Sequence, residues 1–455
     1  MDIETKLARY IANTGYDDLP DKVVDATKKC IIDTLGVTVA GSGYSIGETI
    51  VNQVKDWGGK AESTIMVYGG KVPCHNAALA NGTMARTLDL SGVHEKAISH
   101  PNEGIIPTSL ALAETGKGSG KEFIVSVALG IDLACRLQLV PQKPKGFIGH
   151  SVLGAATAAS KMLKLDAERT LNALGIAYCL TSGNLQMILD NISGIHVHQG
   201  FRASTGVLSA LWAQKGVTGT KNFVEGDYGL YTTYENREDC DFTKLTSELG
   251  ERFEITNVSI KPYPTCKHTH TAIYATLEVV KENHIRPEDI EEIVAYVNQK
   301  AHEFVGTPLE KKRRPQNPIE AQFSIPFLLG VAVVNGNVFI DDITETAIKN
   351  PDFLNMAQKV RTVMDADIEK VSSEQIGPAV VEITTKGGQK FQKRADFAIG
   401  HPQNPMSLDQ VVEKFKSCLP YAARPLDKVK TDKSIEMLVN LERVHDVSAI
   451  LDLLT

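Results

Sequence analysis

The chain has 455 residues, of which 42% are hydrophobic and 23% are charged, and its formal net charge is -7. This length predicts two domains that each bury a substantial core, and the composition excludes a disordered chain. The acidic balance argues against general binding to nucleic acid or to a membrane surface, because both need a basic field, so an anionic substrate would need a local basic pocket.

Apolar residues recur at helical spacing through roughly the first 220 residues of the chain. The clearest stretches are 21–40, 105–116, 121–139 and 151–164, and Gly, Pro and Asn separate them. This pattern predicts one helix after another, with almost no strands. The high Ala and Gly content of these stretches predicts helices that pack closely.

After about residue 255 the pattern changes to strands mixed with helices. Apolar and polar residues alternate in 291–299, in 359–367 and in 379–396, the last around a Gly-Gly turn, which predicts sheet strands. Helical spacing returns in 270–283 and in 319–335, between these strands. The segment therefore predicts a smaller α+β domain.

Segment 406–453 predicts helices again, which we expect to pack back on the first domain. The predicted fold class is mainly α, with a large all-helical domain and a smaller α+β lid domain inserted before the C-terminal helices. We place the helical domain at 1–262 and 402–455, and the lid at 263–401.

Seven cysteines lie at long spacings with no CxxC pair, which predicts neither a disulfide framework nor a zinc cluster. No stretch has the roughly 18 consecutive apolar residues of a membrane span, and the N-terminal residues have neither a signal-peptide core nor an Arg-rich transit pattern. P-loop, HExxH and GxSxG motifs are also missing. We therefore expect a cytoplasmic protein without a metal. Four clusters that contain histidine are the remaining candidates for chemistry.

The first cluster lies at 81–107, in a loop predicted between two helices. There Asp89 could orient His100, and His100 could act as an acid or a base near neutral pH. Alternatively, Asp89 caps a helix end and His100 only packs.

The second cluster, at 143–151, places His150 at the start of an Ala-rich helix, where free backbone N–H groups favour an anion. A capping or surface role is the alternative.

The third cluster, at 194–204, carries His196, His198 and Arg202 ahead of an apolar helix. Two histidines without a nearby carboxylate or cysteine are a weak ligand set for a metal. Two interpretations remain for this third cluster, which are contact with a substrate and polar core or loop residues without a functional role.

The fourth cluster, at 261–275, lies at the predicted domain boundary and contains Lys261, Cys266 and Lys267. Clefts between domains often bind small molecules. A partly desolvated Lys261 beside another cation would have a lowered pKa and could serve as a base. The alternative is a basic linker before a helix.

The chain resembles the MmgE/PrpD family over nearly its whole length. The resemblance rests on segments in a shared order and spacing, which are NGTMARTLD with HPNEGIIPTSLALAE, GVLSALWAQKGVTG, KPYPTCKHTH, EAQFSIPFLLGVAVVNG and GHPQNPMS. Members include 2-methylcitrate dehydratase, cis-aconitate decarboxylase and iminodisuccinate epimerase. The resemblance implies a helical domain with an α+β lid, a homodimer, no metal or organic cofactor, and a polycarboxylate substrate.

The resemblance also implies site residues. Asp89, His100 and Lys261 match positions that form the site in dehydratase and decarboxylase members. Three further positions of that site differ here, with a His, a Lys and a His replaced respectively by Ile148, Ile195 and Cys266.

Because these replacements remove groups that dehydration and decarboxylation use in those members, they count against both reactions. The sequence therefore favours a cofactor-independent epimerase that exchanges an α-proton of a small amino-polycarboxylate such as iminodisuccinate. That reaction needs two acid/base groups and an electrostatically stabilised enediolate. Lys261 and His100 are the predicted bases, with Asp89 orienting His100. Cys266 is an alternative base.

Carboxylate binding is predicted for four residues, with Arg202 favoured by the bidentate geometry of guanidinium; they are His150, His198, Arg202 and Lys267. The main alternative is a hydro-lyase or decarboxylase on a tricarboxylate, in which a histidine such as His196 takes over from the missing groups. A non-catalytic polycarboxylate-binding member of the family is the third interpretation.

Overall fold

The computed structural model describes residues 1–190, 192–372 and 376–455, which fall into two compact units. The first unit comprises Met1–Thr87, Ser91–Ile260 and Ser407–Thr455, and the second comprises Leu88–Leu90 and Lys261–Met406. The chain thus contributes three residues to the second unit early and returns to it at Lys261.

The first unit begins as a succession of helices. Helices α1 to α12 span Ile3–Asn13, Asp21–Gly41, Ser45–Trp57, Cys74–Arg86, Asn102–Gly116, Gly120–Leu139, Ser151–Met162, Ala167–Cys179, Gln186–Leu189, Gly194–Gln214, Leu230–Tyr234 and Thr243–Thr246. Strand β1 (Ser63–Thr64) pairs with β2 (Lys71–Val72), and β3 (Val93–His94) pairs with β4 (Val258–Ser259), both antiparallel. The four helical stretches predicted before residue 165 are confirmed.

Helix α10 starts earlier than the sequence predicts. We expected the segment 194–204 to precede an apolar helix, but it forms the first half of α10. Gly200 lies in this half, and a Cβ there would be 2.2 Å from the Leu79 carbonyl oxygen of α4. The close packing of α4 and α10 therefore overrides the weak helix propensity of Gly and the β-branched residues.

The second unit is built on a four-stranded sheet with the order β6-β5-β7-β8. Strands β5 to β8 span Ile290–Val297, Val360–Met364, Ala379–Thr385 and Lys390–Ala395. The β5/β6 pair is parallel, and the β5/β7 and β7/β8 pairs are antiparallel. The three predicted strand regions are confirmed, and the Gly-Gly turn joins β7 to β8.

Helices α13 to α19 of the second unit span His270–Glu282, Gln299–Ala301, Leu309–Arg313, Pro318–Gln322, Ile325–Asn335, Pro351–Ala357 and Ala366–Val371. Helix α17 is apolar on all sides and buried, and it packs against α13, α18 and β6. The helical stretch predicted over 319–335 forms two helices, because Ser324 caps a new helix through Phe327 N and Pro326 lies in its first turn.

The last helices, α20 to α22, span Leu408–Cys418, Lys428–Val439 and Ser448–Leu453 and belong to the first unit. Helix α20 packs on α2, where Lys414 Nζ donates to Asp33. The predicted mainly α fold is confirmed. No helix within the described ranges combines the length and apolar content that crossing a bilayer requires.

Candidate active site

Helix α10 of the first unit carries a buried guanidinium. Arg202 of α10 donates from Nη1 to Ser151 Oγ at 2.9 Å and to Gln199 Oε1 at 3.1 Å. Its Nε and Nη2 are also buried and have no hydrogen-bond partner among the described residues. We call Arg202, Ser151, Gln199 and His150 the Arg202 cluster. Because buried charges are normally paired, these two free N–H groups mark a place for an anion.

Arg202 remains a cation at neutral pH despite its burial. Burial lowers the pKa of its guanidinium to about 9; the Glu103 carboxylate opposes this shift and the Arg86 guanidinium adds to it. The cluster therefore holds a positive charge.

His150 lies immediately before α7 and is 1% exposed. Burial, with a smaller contribution from Arg202, lowers the pKa of its imidazole to about 3, so the ring is neutral at pH 7. Neither ring nitrogen has a hydrogen-bond partner in the described part of the chain, and the side chain makes no helix-capping bond. His150 can therefore exchange hydrogen bonds with a ligand, although it supplies no charge.

A second buried group in the first unit surrounds the Glu103 carboxylate at the start of α5. Its Oε1 accepts from Ser91 Oγ and from Arg86 Nη1 at 3.2 Å, and lies 3.8 Å from His100 Nδ1. We call Glu103, Arg86, Ser91 and His100 the Glu103 cluster. The sequence did not single out Glu103, although its position only three residues after His100 is a signal that the two side chains could lie close together.

His198 was predicted to hold a carboxylate, and its contacts favour a different role. Its Nε2 lies 3.1 Å from Ser182 O, so Nε2 carries the proton and donates to this carbonyl. Burial, then Arg202, lower the pKa of the ring to about 4. A neutral ring whose N–H is already used fixes the 181–185 loop rather than attracting an anion.

In the second unit, Lys261 is fully buried and bonded to Asp89. Its Nζ lies 2.9 Å from Asp89 Oδ2 and also donates to the Asp89 carbonyl oxygen. The sequence predicted a neighbouring cation that would make Lys261 a base; the neighbour described here is a carboxylate, which favours the charged ammonium. In this arrangement Lys261 is a proton donor.

Cys266 and Lys267 are buried at the start of the segment that leads into α13. Burial, then the Asp89 carboxylate, raise the pKa of the Cys266 thiol to about 12. Because the thiol keeps its proton at neutral pH, it can donate a proton but cannot take one from carbon. Gln322 Nε2 donates to Leu88 O at 3.0 Å and to Pro264 O at 2.9 Å, which fixes the segment 88–90 beside this one.

The predicted residues thus fall into two sets. Arg202 and His150 lie near each other in the first unit, and Asp89, Lys261 and Cys266 lie near one another in the second. Since His100 belongs to the first unit and Asp89 to the second, the orientation of His100 by Asp89 stays a prediction. No three His, Cys, Asp or Glu side chains of residues 1–190, 192–372 and 376–455 are grouped as a metal site would require.

Family models match both parts of the chain. The MmgE/PrpD N-terminal domain matches residues 5–243, and the MmgE/PrpD C-terminal domain matches residues 263–442. The chain belongs to the MmgE/PrpD family. The resemblance seen in the sequence motifs is therefore confirmed.

Curated relatives of this MmgE/PrpD protein align along nearly all of it. Human cis-aconitate decarboxylase is 26% identical over 99% of this chain and 94% of its own length. The cis-aconitate decarboxylase of Aspergillus terreus is 22% identical over 99% of this chain and 96% of its own. The probable 2-methylcitrate dehydratase of Saccharomyces cerevisiae is 21% identical over 87% of this chain and 81% of its own. Among the alternatives drawn from the sequence, a lyase is better supported than an isomerase.

Proposed function

We propose that this protein is a lyase that acts on a small polycarboxylic acid, with decarboxylation as its reaction. The observation that carries the proposal is the buried Arg202, which keeps a positive charge next to the neutral His150 and has two N–H groups without a partner among the residues that the structure describes. The decarboxylases and dehydratases among the relatives support the same reaction class.

Arg202 is better suited to bind a carboxylate than a lysine side chain would be at this position. Its Nη1 is fixed by Ser151 and Gln199, so the guanidinium plane is oriented before a ligand arrives. A carboxylate could then accept from Nε and Nη2 in parallel, the bidentate arrangement that favours Arg over Lys. Such a bond would compensate for the desolvation of the guanidinium.

Decarboxylation matches the protonation states of the second unit. When the bond from carbon to the departing carboxylate breaks, carbon dioxide leaves, its electron pair passes to the carbon chain, and the chain then takes up one proton. Lys261 as an ammonium and Cys266 as a thiol are proton donors for such a step. Dehydration needs in addition a base for the carbon-bound proton and an acid for the departing hydroxyl.

Epimerisation of an amino-polycarboxylate such as iminodisuccinate is the second candidate. It is favoured by Ile148, Ile195 and Cys266, which replace a His, a Lys and a His found in dehydratase and decarboxylase members. An epimerase loses neither water nor carbon dioxide and needs fewer such groups. It does require a base, which Lys261 supplies only after losing a proton.

The test is incubation of the purified protein with cis-aconitate, 2-methylcitrate or iminodisuccinate in deuterated buffer, followed by NMR. We expect carbon dioxide release and one deuterium in the product from cis-aconitate or a related tricarboxylate. Deuterium in recovered stereoisomers of iminodisuccinate would instead establish the epimerase. Tight binding of all three acids without turnover would identify a non-catalytic binding member. Lys261→Met serves as the inactive control in each reaction.

The homodimer and the independence from cofactors stay predictions of the resemblance, and the cytoplasmic location stays a prediction drawn from the residue pattern. Sedimentation should give a mass about twice the 49.5 kDa of one chain. Activity should survive treatment with a chelator. Loss of activity that a divalent ion restores would contradict a mechanism based on side chains alone.

A further inference from the structure

The turn that leads into His100 is closed by His94. The His94 N–H donates to Ser99 O at 2.9 Å, and the Ser99 N–H donates back to His94 O at 3.3 Å. The Ala97 N–H donates to His94 Nδ1 at 3.0 Å, and Ile98 takes a left-handed φ of 47° inside the turn. Because His100 follows Ser99 directly, its backbone position depends on this turn.

The other ring nitrogen of His94 is bonded to a carboxylate from a distant segment. His94 Nε2 lies 3.1 Å from Glu254 Oε2, and both side chains are buried. Since Nδ1 accepts from Ala97, the ring proton is on Nε2 and is donated to Glu254. The imidazole therefore joins the turn to Glu254 in one fixed orientation.

Glu254 is held in its turn by helix α6. Its Oε2 accepts from Asn257 at 2.9 Å, and its backbone N–H donates to Asp132 Oδ1 at 2.8 Å. Asp132 Oδ2 accepts from Arg136 Nε at 2.9 Å. Arg136 is fully buried and donates to the carbonyl oxygens of Lys244, Ser247 and Arg252. These contacts connect α6 to Glu254 through direct hydrogen bonds between buried groups.

We propose that His94 is a positioning residue, which transmits the position of α6 through Glu254 to the turn and so sets the placement of His100. The inference rests on the proposed function in one respect, that His100 takes part in proton transfer. A purely structural His94 would stabilise the first unit and leave the environment of His100 unchanged.

Two variants of His94 separate its two hydrogen bonds. His94→Asn keeps an acceptor near Nδ1 for the Ala97 N–H and loses Glu254, whereas His94→Gln keeps a donor near Nε2 for Glu254 and loses Ala97. Glu254→Gln retains an acceptor and should be milder than Glu254→Ala. Glu114→Gln is the matched control, because Glu114 is another buried carboxylate of the first unit and binds Thr64 and Lys71.

The measurement is the titration of the His100 ring, followed by ¹³C-histidine NMR and assigned through His100→Asn. We expect both His94 variants to shift the His100 resonance and its titration midpoint, and Glu114→Gln to leave them unchanged. With an active substrate, kcat should fall roughly 10- to 100-fold while KM changes less than about threefold, as expected for a misplaced group. Glu254→Gln should retain more of kcat than Glu254→Ala.

An unchanged His100 titration in folded His94→Asn and His94→Gln would overturn the proposal, whatever their Tm. If both variants are unstable, Glu254→Gln against Glu254→Ala decides the same question. A shifted titration in a protein that turns over none of the acids would support the positioning role and count against the proposed lyase instead.

Discussion

At the scale of single residues, Arg202 should lower the stability of the free protein and at the same time enable the protein to bind a polycarboxylate. Replacing it with Met removes a buried charge that has two N–H groups without a partner in the described part of the chain. We therefore expect Arg202→Met to raise the free energy of unfolding by about 1 kcal/mol. The same variant should lose the increase in Tm that a saturating polycarboxylate gives the wild type. Urea unfolding and thermal shift measure the two effects. A less stable variant that still binds the acid would contradict the assigned role.

The Asp89–Lys261 pair makes a second prediction at this scale. Asp89→Asn leaves a fully buried ammonium without its carboxylate and should lower the free energy of unfolding by about 3–5 kcal/mol. Lys261→Met should cost less, because Asp89 is more exposed than Lys261. In the double variant we expect stability to recover in part, whereas activity should not.

A double-mutant cycle from urea unfolding gives the coupling between the two side chains. Additive effects within about 0.5 kcal/mol would contradict a direct ion pair. Lys416→Met is a suitable control, since Lys416 pairs with Glu413 on the surface.

At the scale of elements, the loop between α8 and α9 depends on a glycine. Gly183 has a φ of 103°, and a Cβ there would lie 2.1 Å from His198 Cε1. Gly216, after the end of α10, has a φ of 91° with nothing within 4 Å of its added Cβ. The two positions share backbone strain and differ in the contact with His198.

We therefore expect Gly183→Ala to be more destabilising than Gly216→Ala by at least about 1 kcal/mol in urea unfolding. It should also displace His198, and with it the hydrogen bond to Ser182, which histidine NMR can follow. Equal losses in the two variants would show that the loop moves aside and that His198 does not fix it.

At the scale of the whole molecule, stability should fall on mild acidification. Folding lowers the pKa of His150 to about 3 and that of His198 to about 4, so the unfolded chain binds more protons below pH 6.5. Asp132 acts in the opposite direction, since burial raises its pKa to about 6. Burial also lowers the pKa of His75 and His270, so the histidines outnumber Asp132. The free energy of unfolding, and with it Tm, should therefore decrease from pH 7 to pH 5, with each histidine contributing at most about 1.4 kcal/mol per pH unit.

The variant His150→Gln should reduce this acid sensitivity because it removes one of these histidines. His284→Gln is the matched control, since His284 is exposed. A Tm that is constant between pH 7 and pH 5 in the wild type would contradict the neutral, buried state of His150.

The helices could be predicted because their signals are local. The stretch 121–139 is periodic, and Ser119 with Glu122 forms the capping box that starts α6. The first half of α10 could not be predicted, since it depends on the contact of Gly200 with another helix. For the candidate site, residue type was enough to select Arg202 and Lys261. Their partners were not predictable in this way, because Ser151 and Asp89 reach them only through the tertiary fold.

The segment Leu88–Leu90 belongs to the second unit although it lies far from the rest of that unit in the sequence. This restricts how the protein can be divided into fragments or recombined with relatives. A fragment of residues 261–406 would lack Asp89, the partner of Lys261, and Leu88, whose carbonyl accepts from Gln322. Residues 261–406 alone therefore do not form the complete second unit. A chimera between two members of the family should be more stable when the tripeptide 88–90 and the downstream segment come from the same parent.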